Sequence, residues 1–184
     1  MLHFFISFPS FLRASLSRGL QLFKWVIIME MLMMVICLMS VFYNEPEISV
    51  VETLTQVVEE VPEVAQSVDS IKFFAEDNIH VGYSLRNNIT IFGLSQYSEF
   101  QQKYVILHEM AYCWAFDILN DNYEEYEIYI KKDNSVISSY STTSIAEDFA
   151  DAVAYYFLAD GFKECFPNRT EFIERCLNGI TICD

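Results

Sequence analysis

Residues 103–117 read KYVILHEMAYCWAFD, and the rest of the chain is arranged around them. Phe100, Tyr104, Leu107, Ala111, Trp114 and Ile118 recur at helical spacing, which predicts one apolar helix face. Ser98 stands where an N-cap belongs, with Gln101 at the capping-box position. The polar run Asn120-Asp121-Asn122 predicts the end of the helix. On the flank of this face, His108 and Glu109 sit side by side, and Tyr112 follows His108 by one turn. A His-Glu-x-x-His helix places two imidazoles on one zinc ion and uses the glutamate as general base. Here the second imidazole is replaced by the phenol of Tyr112.

A second helix is predicted over residues 144–160, from Ile145, Phe149, Ala152, Val153, Tyr156 and Phe157, and Asp160-Gly161 stops it. Glu147 and Asp151 lie four apart on one stripe of it. Ser144 and Glu147 also form a capping-box pair, so a purely structural role for Glu147 stands beside a chemical one. Between residues 71 and 93, the runs IKFF, HVGY and ITIF are broken by turn residues, which predicts a small antiparallel sheet. His80 falls at a strand start and is read as structural. Val51, Leu54, Val58 and Val61 predict a helix, with Pro62 opening a second short one. YEIYI at 126–130 is read as extended, and residues 169–177 as a final helix. The fold class is therefore α+β, a small antiparallel sheet packed on helices.

Residues 1–43 form an attachment and residues 44–184 the domain. The first 43 residues carry Arg13, Arg18 and Lys24 ahead of an apolar run from Met31 to Phe42. Basic residues before such a run specify export, as a signal peptide or as a membrane anchor. The domain is thus expected outside the cytoplasm, secreted or anchored, with membrane contact through the N-terminal segment if it is uncleaved. From Asn44 onward 8 basic residues face 25 acidic ones, a net charge of −17, which repels nucleic acid and anionic lipid. Cys113, Cys165, Cys176 and Cys183 make an even set in an exported domain, and at least one disulfide is expected, a Cys176 or Cys183 pairing first among the choices.

The order LHEMAYCW, a lone tyrosine, AEDFADAVAYYF and FPNRTEFIE resembles the anthrax lethal factor-like zinc metallopeptidases, a group that includes the secreted Pro-Pro endopeptidases. Tyr140 stands seven residues before Glu147, and Glu147-Asp148-Phe149-Ala150-Asp151 follows the family's E-x-F-A-E helix, with aspartate at its last position. The resemblance spans roughly residues 70–177. It implies a zincin-like domain in which His108 and Glu147 ligate zinc and Glu109 is the general base. Tyr140 would donate to the oxyanion, and Asp151 would support a ligand. It further implies hydrolysis of a peptide or protein by zinc-activated water. Tyr112 departs from the pattern, because a neutral phenol is a poor zinc ligand. The expectation is a zinc peptidase with an impaired or altered metal site. The alternatives are an inactive peptide-binding or toxin-associated module, and a membrane-tethered acidic domain of structural role.

Overall fold

A computed structural model describes residues 6–7, 48–76, 78–120 and 122–179. Seven helices and a small mixed sheet make up the described residues. The helices are α1 (Ile48–Glu60), α2 (Pro62–Ala65), α3 (Glu99–Leu119), α4 (Glu124–Asp133), α5 (Ile145–Leu158), α6 (Phe162–Cys165) and α7 (Pro167–Leu177). The strands are β1 (Ile6–Ser7), β2 (Ser70–Phe74), β3 (Gly82–Leu85) and β4 (Asn88–Phe92), in the sheet order β1-β2-β4-β3.

The sheet is not wholly antiparallel, in contrast to the expectation from sequence. β3 and β4 form an antiparallel hairpin, but β4 runs parallel to β2. The tight turn at Arg86-Asn87, where Arg86 takes φ 54°, closes the hairpin. It returns the chain into the middle of the sheet and leaves β3 on the edge. In that register Ile71 pairs with Ile89 and Phe73 with Ile91, so the apolar side chains of both strands face the helices together. Ile71, Ile89 and Ile91 are fully buried, each contributing about 1.5–3 kcal/mol of burial. The buried Asn87 side chain pins the turn, donating to Ser67 O at 2.6 Å and to Asp117 Oδ1 at 2.9 Å.

α3 is the central element, and the sheet packs on one side of it and α5 on another. Its start is the expected capping box. The Gln101 amide donates to Ser98 Oγ, and the Ser98 amide donates to Gln101 Oε1 at 3.1 Å. Asn120 ends it in the left-handed region. The buried face is Ile106, Leu107, Met110, Ala111, Cys113, Trp114 and Ala115, while Phe100 is half exposed. Small residues on both helices, Ala111 and Ala115 with Ala150 and Ala154, allow close approach of buried backbone.

Three sequence expectations shift. α1 buries Val50, Leu54 and Val57, and Val61 just past its end is buried as well, while Val51 and Val58 are only partly buried. YEIYI is not extended but lies in α4. Tyr126 and Tyr129, three apart, both pack on Phe172 of α7, with ring centroids at 5.0 and 5.2 Å. Acids in its first turn and lysines in its last also suit the helix dipole. His80 is exposed in the turn before β3. The apolar segment 31–42 lies outside the described residues, and no helix among those described is long and apolar enough to cross a membrane.

Candidate functional site

α3 and α5 meet at His108. Its side chain is buried, and each ring nitrogen faces a carboxylate of α5. Nδ1 lies 3.0 Å from Asp151 Oδ1 and Nε2 lies 3.1 Å from Glu147 Oε2. The i,i+4 spacing of the two acids lets one helix face grip both nitrogens. An imidazole between two carboxylates is held as imidazolium. Burial alone would lower its pKa, but the hydrogen bonds to Asp151 and Glu147 and the charges of Glu109 and Asp151 raise it to about 9.

Asp151 is fully buried and accepts three donors, His108 Nδ1, the Tyr104 hydroxyl and the Ser138 hydroxyl. Burial works against its charge, and the bonds from His108, Ser138 and Tyr104 overcome this and hold the carboxyl below its ordinary range. Glu147 is more open. Burial again raises it, but hydrogen bonds from His108, Tyr112 and Tyr140 win and hold it low. Ser144 Oγ accepts the Glu147 backbone N–H at 3.1 Å. The serine therefore caps α5 while the glutamate carboxylate turns to His108, so capping and site chemistry use different atoms of one residue.

Tyrosines enclose the imidazole. Its ring centroid lies 5.6 Å from Tyr104, 5.5 Å from Tyr112 and 5.9 Å from Tyr140. Burial and the neighbouring Glu147 push the Tyr112 phenol well above its ordinary pKa, so it stays protonated and donates. Tyr140, half exposed at the rim, is raised by burial and by the same carboxylate.

The Glu109 side chain meets β3. Its buried carboxylate accepts the Ser84 hydroxyl at Oε2, 2.7 Å away. Burial raises its pKa, and the Ser84 bond and the His108 charge act the other way.

A tight zinc site needs three protein ligands and an open position. The strong donors that converge here are His108 Nε2 and Glu147 Oε2, and the next neighbours are protonated phenols. Among the described residues no group of three or more His, Cys, Asp or Glu could hold a metal ion. This donor set does not fit a resident zinc.

The six expected site residues, His108, Glu109, Tyr112, Tyr140, Glu147 and Asp151, therefore come together. Sequence reasoning missed Tyr104, Ser138 and Ser84. Tyr104 carried a signal, since it lies one turn before His108. Neither serine did, because each reaches the site through its fold position. Also missed was the buried Arg169, whose Nε and Nη2 donate to Asp148 at 2.8 and 2.9 Å and whose Nη1 lies 3.3 Å from Asp133. It ties α7 and the end of α4 to the residue next to Glu147.

No family model, curated protein or solved structure matches the chain. Cys113, Cys165 and Cys176 are free thiols, so no bridge joins these three, and Cys183 lies outside the described residues. Burial pushes the Cys113 thiol up to about 12, which makes it unreactive.

Proposed function

We propose that residues 70–177 form a zincin-like, lethal factor-like metallopeptidase domain with an impaired metal position, which binds peptides beside the half-exposed Tyr140 and does not hold zinc as a resident cofactor. The observation that carries this reading is the His108 imidazole, bound at both nitrogens by Asp151 and Glu147. A carboxylate on the far nitrogen of a metal-binding histidine is the usual way to orient it. Asp151 supplies that carboxylate, and Glu147 faces the other nitrogen as a ligand from a second helix would. The proton on Nε2 joins the two groups that a metal ion would join. Tyr112 adds a hydrogen bond to Glu147 where a second imidazole would add a ligand.

The other groups have roles that need no metal. Tyr140, half exposed above the imidazole, offers a phenol and a ring face to a bound peptide. Glu109 is buried beside His108 with its carboxylate held by Ser84. The run before Tyr43 supports delivery of the domain outside the cytoplasm, secreted or anchored.

The test is a peptide library presented to the purified protein with and without added zinc. Peptides are expected to bind, weakened by Tyr140→Ala, and to be recovered intact. Zinc-dependent cleavage that Glu109→Gln abolishes would show instead a working peptidase, and absence of any peptide binding would remove the reading.

A further inference from the structure

Residues 138–144, between α4 and α5, bring Tyr140 to the imidazole, with the two ring centroids 5.9 Å apart. The hydroxyls of this loop shape it. The Ser138 hydroxyl oxygen accepts the backbone N–H of Tyr140 and that of Ser141, both at 3.0 Å. Ser141 returns the contact, its hydroxyl accepting the Ser138 N–H at 3.2 Å and donating to the Ser138 carbonyl at 2.9 Å. Thr143 donates to the Tyr140 carbonyl from its backbone N–H at 3.0 Å and from its hydroxyl at 2.8 Å. Both backbone polar groups of Tyr140 are thus bound within the loop. The hydroxyl proton of Ser138 leaves the loop and goes to Oδ2 of the buried Asp151, whose Oδ1 lies 3.0 Å from His108 Nδ1.

We propose that Ser138 is a positioning residue of the peptide site, which ties the Tyr140 loop through Asp151 to the His108 clamp and so holds the Tyr140 ring beside the imidazole before a peptide arrives. This rests on the reading of Tyr140 as the peptide contact. A serine that only closed a turn would need its oxygen for the backbone and could leave its proton to solvent. Here the proton reaches the carboxylate that also holds His108, so the place of Tyr140 is set relative to the imidazole as well as along the chain. A contact ordered in advance loses less freedom on binding. Ser138 touches no peptide itself and acts through Tyr140.

Two readouts separate this proposal from the reading it rests on. The first needs no peptide. In Ser138→Ala the backbone amides of Tyr140 and Ser141 are expected to exchange with solvent about fivefold or more faster, the order of one lost hydrogen bond each, and in Ser138→Thr, which keeps the hydroxyl, at the parent's rate. The second is the affinity for a peptide recovered from the library. Ser138→Ala is expected to weaken it by about fivefold, Ser138→Thr to keep it, and Ser138→Ala to cost nothing further once Tyr140→Ala is present, because the serine acts only through that ring. If Ser138→Ala does not fold, Ser138→Cys, with a weaker donor of similar size, carries the same comparisons. Amide exchange unchanged by the loss of the hydroxyl, or an equal loss of affinity with and without the Tyr140 ring, would overturn the proposal. Faster exchange in a protein whose parent binds no peptide would uphold the tie between Ser138 and the loop and overturn the peptide-binding reading.

Discussion

Stability between pH 6 and 8 should be governed by His108. In the folded chain its pKa is raised to about 9 from an ordinary 6.5. The folded state therefore binds the proton more tightly than the unfolded one. The resulting stabilisation is complete below pH 6.5 and is lost as pH rises toward 9. Its full size is about 3 kcal/mol, because each tenfold gain in proton affinity is worth roughly 1.4 kcal/mol. Between pH 6 and pH 8 the linkage relation gives a loss of about 2 kcal/mol. The window stops at pH 8 because Cys113 and Cys176, both pushed up to about 12 by burial, add losses of the same sign once unfolded thiols ionise. The assay is urea unfolding in the presence of a chelator, at constant ionic strength, for the parent and for His108→Gln. The parent should lose about 2 kcal/mol across the window, and His108→Gln, though less stable throughout, should be flat. A parent whose stability does not change from pH 6 to 8, or a His108→Gln variant with the parent's slope, would refute the imidazolium clamp.

Other outcomes follow from the same geometry. Arg169→Ala leaves Asp148 and Asp133 buried without their cation and should cost about 3–5 kcal/mol in denaturant unfolding; Arg169→Lys should not restore it, because the two-pronged bond to Asp148 needs a guanidinium. Ser98→Ala removes the α3 cap and should cost about 1 kcal/mol in the same assay. N-terminal sequencing of the protein recovered from its host's exterior should show either cleavage near residue 43 or an intact anchor; recovery only as a full-length cytosolic product would contradict export.

Much of this site is readable from spacing alone. His108 and Tyr112, and Glu147 and Asp151, are each one turn apart, and a helix puts such pairs on one face whatever surrounds it. Spacing groups the residues of each helix, but that the two helices face each other is implied only by the resemblance, through the order of the motifs along the chain. The sheet is legible as three short apolar runs, but its direction is not. Which strand takes the edge depends on the hairpin at Arg86-Asn87 and on Ile71 meeting Ile89, a contact between segments. YEIYI misleads because two tyrosines three apart and alternating apolar residues fit both periods over five residues. Only the partner face on α7 decides between them. Ser84 and Ser138 carry no sequence signal, since a serine becomes a carboxylate's partner by where its strand or loop runs.

The central claim is that one missing ligand, at position 112, separates this site from a zinc centre. It is tested by the zinc affinity of the folded parent and of Tyr112→His, measured side by side by competition with a chromophoric chelator at neutral pH. The account predicts weak binding by the parent and a gain of more than about 100-fold in Tyr112→His, a first ligand being worth more than the roughly 10–100-fold of an orienting partner, and loss of that gain when Glu147→Ala is added. Equal affinities in two folded proteins, or tight stoichiometric zinc in the parent, would contradict it.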